Sequence, residues 1–125
     1  MTTALVAVFL IAHGLVHTAI WLTRPDPEHP APFEPDHSAL LTVNGAPASL
    51  VHRTSVVLAV GSAVLYVIAG VLVAFDAPGR VEVAAAAAIV GLSLKLLFFH
   101  PWLSLGVILD ALVLAAAVTG WPVGL

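Results

Sequence analysis

The 125-residue chain contains no cysteine, which excludes disulfides, thiol redox chemistry and thiolate metal sites together. Charge is almost as scarce. Only 9% of residues are Asp, Glu, Lys or Arg against 61% hydrophobic, a balance outside the range of an ordinary soluble domain. The four Lys and Arg residues form no run and the formal net charge is −3, which removes nucleic acid as a partner. No nucleophile–base arrangement, phosphate-binding glycine loop or pair of carboxylates is present, so any catalysis would depend on a bound cofactor.

What the chain does have is four apolar stretches, 4–22, 54–75, 83–99 and 103–118. The first two have the length needed to cross a bilayer, and the last two are near its lower limit. No stretch alternates in the manner of barrel strands, so backbone groups placed in lipid must be satisfied within helices. The expected fold is all-α: a polytopic membrane protein with an up-down bundle of four transmembrane helices over about 4–22, 53–75, 82–99 and 102–119. The N-terminal stretch lacks a basic leader and is interrupted by His13 and His17, which reads as a first membrane helix rather than a signal peptide. The expected location is the bacterial inner membrane, with the lipid bilayer as the first partner.

A long loop over 23–51 separates the first two helices and holds six of the nine prolines, Pro25, Pro27, Pro30, Pro32, Pro35 and Pro47. Prolines at this spacing forbid a regular helix and favour extended chain. Ser38 is placed to cap a short turn through Val43, with Asn44-Gly45 ending it. Loops of this length serve as lids or docking surfaces, or lie on the bilayer as tethers. The remaining connections, Asp76-Ala-Pro-Gly-Arg80 and His100-Pro101, are tight turns that make sequential helices antiparallel neighbours. Trp21, Trp102 and Trp121 all fall near helix ends, where indoles prefer to sit. Arg24 and Arg53 beside the long loop against Arg80 on the other side leave the orientation open.

Ionisable groups inside such stretches are expensive and by default functional. Lys95 and Asp110 lie on opposite sides of the His100-Pro101 turn, both roughly 8 to 13 Å below it at the helical rise. A buried ion pair is the natural reading, either fixing hairpin register or taking part in a proton relay. His13 and His17, four residues apart, share one helix face at a similar depth. With Asp110 they form a candidate metal set for copper, zinc or iron, the bland alternative being two neutral, hydrogen-bonded imidazoles. Haem would need one of these histidines plus His52 or His100. His52 and Arg53 sit where they could meet a lipid phosphate or a quinone headgroup. Ser62, Lys95 and His100 complete the candidate cofactor-binding positions. Ser55, Ala59, Ser62, Tyr66 and Ala69 give the second helix a small, polar stripe. Ala84, Ala88, Gly91 and Lys95 do the same for the third, and Gly106 precedes Asp110 by one turn. Such stripes let membrane helices approach closely.

The run His13-Gly14-Leu15-Val16-His17 resembles a first-helix motif of a group of small bacterial four-helix membrane proteins. Gly106-Val107-Ile108-Leu109-Asp110 extends the likeness to the last helix, and a fainter similarity runs to DoxX-like membrane proteins. The long proline loop departs from that group's short connection. The resemblance implies the fold and assigns no activity.

Three roles follow. One is an accessory or structural subunit of a membrane assembly or homo-oligomer, packed around a buried His/Lys/Asp cluster. The second is a redox-binding protein holding a transition metal, haem or quinone. The third is an oligomeric transporter of protons or a small cation.

Overall fold

The computed structural model describes residues 1–24 and 26–120; Trp121 lies outside the described residues. All regular structure among them is helical: α1 (Thr2–Trp21), α2 (Ala39–Val43), α3 (Ala48–Ala74), α4 (Arg80–Leu97), a 3₁₀ turn (Pro101–Leu103) and α5 (Ser104–Thr119). Three segments are long and apolar enough to cross a membrane: Thr2–Trp21, Ala48–Ala74 and Pro101–Thr119. The expected third crossing is a helix of 18 residues, but it carries Arg80, Glu82 and Lys95 and is the least apolar of the four long helices.

Local chemistry sets the boundaries. Pro47, extended at ψ 150°, starts α3 at Ala48, earlier than the expected 53, because the proline fixes φ and has no N–H to leave unpaired. At the other end, His100 precedes Pro101 and is extended, at φ −141° and ψ 144°. A residue before proline is pushed out of the helical region, so α4 ends at Leu97 rather than 99. In the loop, the Ser38 side chain accepts from the Leu41 amide and caps α2, which closes at Asn44 with Gly45 at φ 78°.

The long helices pack in sequence, α1 on α3, α3 on α4 and α4 on α5, whereas α1 and α5 barely approach one another. Two apolar cores lie along the bundle. One joins Ala7 and Leu10 of α1 to Ala69 and Val73 of α3, Ala84, Ala87 and Ala88 of α4 and Val113 of α5. The other, at the loop end, gathers Trp21, Val51, Ala59, Leu94, Phe98 and Leu103. Between them lies a polar layer.

The proline loop is tied to the bundle. Trp21 Nε1 donates to the Pro35 carbonyl at 2.7 Å, and Ser38 Oγ donates to the Leu97 carbonyl at 2.5 Å. His52 pairs with Asp36 at 3.4 Å. The Phe33 ring lies against Trp21, His100 and Trp102, with centroids 5.4–6.2 Å away.

The tightest crossing is α1 on α3. A Cβ on Gly14 would stand 2.6 Å from the Tyr66 Cβ and 3.0 Å from the Ala63 carbonyl oxygen, neither of which can move without the helix. Gly14→Ala is therefore expected to cost about 1–3 kcal/mol through overpacking. A clear drop in the thermal unfolding midpoint in detergent would show it, and an unchanged midpoint would disprove the close contact.

Candidate functional site

Each of the four long helices sends at least one polar side chain into the layer between the two cores: His13 and His17 from α1, Tyr66 from α3, Lys95 from α4 and Asp110 from α5. The stripes read from spacing are the buried faces. Ser55, Ala59, Ser62, Tyr66 and Ala69 of α3 are all buried, as are Ala84, Ala88, Gly91 and Lys95 of α4.

Asp110 is the hub, with 0% of its surface exposed. Its Oδ1 accepts from His13 Nε2 at 2.6 Å and from the Tyr66 hydroxyl at 2.7 Å. Its Oδ2 accepts from Lys95 Nζ at 2.6 Å. Lys95 Nζ also lies 2.5 Å from His17 Nε2, and His17 Nδ1 lies 3.0 Å from the His13 backbone carbonyl.

These contacts fix the tautomers. A carbonyl only accepts, so His17 Nδ1 carries the proton, and its Nε2 then accepts from the Lys95 ammonium. An ionised carboxylate likewise only accepts, so His13 Nε2 carries a proton towards Asp110. With both imidazoles neutral, Lys95 and Asp110 balance and the layer has no net charge. No buried side-chain N or O among the described residues lacks a partner, the condition under which a polar network inside an apolar body is tolerated.

The glycines beside the charges work crosswise. A Cβ on Gly91, one turn before Lys95, would stand 2.6 Å from Asp110 Oδ2. A Cβ on Gly106, one turn before Asp110, would stand 2.6 Å from Lys95 Cε. Each glycine seats the partner's side chain, so the ion pair lies directly on the facing helix backbone.

Of the positions singled out from sequence, His13, His17, Lys95 and Asp110 come together. Ser62 is buried but donates to the Ala87 carbonyl at 3.5 Å. His52 and Arg53 are exposed. His100 accepts from the Trp102 amide and stacks on Phe33. None of these four hydrogen-bonds to the layer among the described residues. From the sequence Tyr66 reads only as part of the α3 stripe; its place four residues after Ser62 is the one signal that it faces inward.

His13, His17 and Asp110 each offer a ligand atom within 4.8 Å of the others, so the predicted metal set is assembled. Lys95 Nζ stands between two of those atoms, His17 Nε2 and Asp110 Oδ2. The ammonium holds the place that a cation bridging them would take.

A cleft of about 480 Å³ opens between α1 and α5, along the seam where the two helices barely meet. His13, His17 and Lys95 border it, with Val16, Ile20, Trp21, Trp102, Leu105, Gly106 and Leu109 as its apolar and aromatic walls. Val16, Trp102 and Leu105 are exposed, so the cleft is open sideways. Comparison with family models, curated proteins and solved structures finds no match to this chain, and the resemblance rests on His13-Gly-Leu-Val-His17 and Gly106-Val-Ile-Leu-Asp110 alone.

Removing one partner of a buried pair leaves an uncompensated charge, which costs about 3–5 kcal/mol. Lys95→Met is expected to lose that much in a detergent unfolding assay, and Lys95→Met with Asp110→Asn to recover most of it. Additive losses in the double variant would show that the two charges do not act as a pair.

Proposed function

We propose that this protein is a four-helix transmembrane bundle that binds a lipid-soluble, amphipathic molecule in the cleft between α1 and α5. The observation that carries the reading is that one cleft has apolar walls on two sides and His13, His17 and Lys95 of the buried layer on its inner side. Pockets for small molecules have this make-up, mostly apolar with a few convergent polar groups, and fall in the same size range.

The position of its charges supports reading α4 as a fourth span. Arg80 and Glu82 occupy the first turn of α4, at the level of a water-facing helix end, and Lys95 is neutralised by Asp110. The middle of the helix is alanine, valine, leucine and isoleucine. An all-helical bundle suits the inner membrane of a bacterium, where barrels are not the rule. The role is that of a small accessory subunit. Exposed Val57, Val60, Val64, Ile68 and Val71 on α3 leave an apolar flank for lipid or for a neighbouring subunit. Transport through one chain finds no support, since beyond Tyr66 the layer gives way to an alanine, leucine and valine core.

Metal binding is the second reading, supported by the assembled His13, His17 and Asp110. It requires the Lys95 ammonium to lose its proton and swing aside. Stoichiometric zinc, copper or iron in protein purified without chelators would carry it. Under the cleft-binding reading the wild-type chain holds none.

The cleft can be tested by filling it. Val16→Trp adds bulk to the wall at an exposed position and leaves the Asp110 network untouched. Protein purified in a mild detergent is expected to retain a stoichiometric amphipathic molecule, identified by mass spectrometry, that Val16→Trp loses. A molecule retained equally by both would place binding elsewhere, and none retained by either would remove the reading.

A further inference from the structure

The atoms that the layer leaves uncommitted define what the head of such a ligand must carry. His13 spends Nε2 on Asp110, and among the described residues nothing hydrogen-bonds its Nδ1. No buried side-chain nitrogen or oxygen among the described residues is left unpartnered, so Nδ1 is not sealed from the surface, and His13 is one of the residues that border the cleft. With the ring neutral and Nε2 carrying its one proton, Nδ1 is an acceptor. Lys95 has three N–H donors; His17 Nε2 and Asp110 Oδ2 take two of them. Nothing among the described residues accepts from the third, and Lys95 borders the same cleft.

The inner wall thus offers one acceptor and one donor, and a bound head should answer both. A carboxylate or phosphate answers only the donor, and brings a second negative charge beside Asp110. An ammonium answers only the acceptor and brings a second positive charge beside Lys95. A ketone or an ester answers only the donor and leaves His13 Nδ1 unmet in an apolar cleft, which costs the desolvation of that nitrogen. A hydroxyl does both, donating to Nδ1 and accepting from Nζ. Aromatic rings stand around this point: Trp21 and Trp102 form part of the walls, and the His17 ring stacks on Trp21 with centroids 6.4 Å apart. Offset stacking against such rings favours a flat head over an aliphatic alcohol.

From this geometry we infer that the cleft is a site for a lipid-soluble phenol, hydroquinones included. Its hydroxyl bridges His13 Nδ1 and Lys95 Nζ, and its alkyl chain leaves sideways between α1 and α5. The inference rests on the cleft-binding reading above and adds the chemical class. Asp110 holds the His13 ring through Nε2, so the acceptor nitrogen is oriented by a carboxylate, as in a base held by a third group. That arrangement distinguishes the hydroxyl form of a molecule from any form in which the hydroxyl is lost or capped.

The test compares saturable binding of radiolabelled para-octylphenol and of para-octylanisole, its methyl ether, to the full chain in detergent micelles. The two probes share ring and chain and differ in the donor. The phenol is expected to bind at least about tenfold tighter, the scale of one hydrogen bond at a buried partner, and Val16→Trp is expected to abolish the difference. Equal binding of phenol and ether, both lost in Val16→Trp, would overturn the phenol assignment while leaving the cleft as an apolar site. So would failure of both probes in a protein that retains an amphipath with a different head. Failure of both probes, with no retained molecule, would sink the class and the cleft together.

Discussion

One carboxylate holds the four helices in register. Asp110 stands on α5 and accepts from α1 through His13, from α3 through Tyr66 and from α4 through Lys95. Within a bilayer the helices gain little by hiding apolar surface from one another, since lipid tails are as apolar as leucine. What distinguishes one arrangement of such helices from another is close packing and the satisfaction of polar groups. Here both requirements meet at the same place. Any rotation of α5 that took Asp110 off its partners would leave three donors and a charge unmet, which few alternative packings could absorb.

The small residues matter because the hub is short. An aspartate reaches only a few ångströms from its backbone, so three neighbouring helices must come to it. Gly14 lets α1 settle on α3 against Tyr66, Gly91 leaves room for the Asp110 carboxylate, and Gly106 lets the Lys95 stem cross α5. The alanines of α4 serve the same end, with Ala84, Ala87 and Ala88 wholly buried against the bundle. Small-residue stripes and polar hub are one device, and neither would hold the helices alone.

Much of this device was legible in the sequence, and for a physical reason. A lysine or aspartate among apolar residues stands out without alignment, because the bilayer makes an unpaired charge there untenable. The His100-Pro101 turn then places Lys95 and Asp110 at one depth, and spacing of four places His13 beside His17. Tyr66 was harder to assign, since an isolated tyrosine in an apolar helix carries the same pattern whether it packs or donates. The contact of Lys95 with His17 depends on the angle at which α1 meets α4, which periodicity does not encode. The α1–α5 cleft was also hidden. It lies between helices that are far apart in sequence and whose backbones pack little against each other. His52, Arg53 and His100, chemically suitable side chains near helix ends, lie apart from the hydrogen-bonded layer: the loop engages His52 through Asp36 and His100 through Phe33, and Arg53 is exposed.

For the proposed cleft-binding role, the loop bears on the side from which the cleft would be reached. At the end of the α1–α5 seam the Phe33 ring lies against both Trp21, the last residue of α1, and Trp102, just before α5, so one aromatic side chain spans the gap between the helices. Trp21 is further held by its bond to the Pro35 carbonyl, and its proline-rich surroundings have little conformational freedom to lose. The aqueous end of the seam is roofed, while its flank, with Val16 and Leu105 exposed, stays open. A polar solute arriving from water meets the roof; a molecule already dissolved in the bilayer meets the open flank. In the proposed role it would then meet a layer in which Lys95 and Asp110 already balance each other, and the site would need no charged ligand. The site would select by hydrogen bonding, through His13 Nδ1 and the remaining Lys95 N–H.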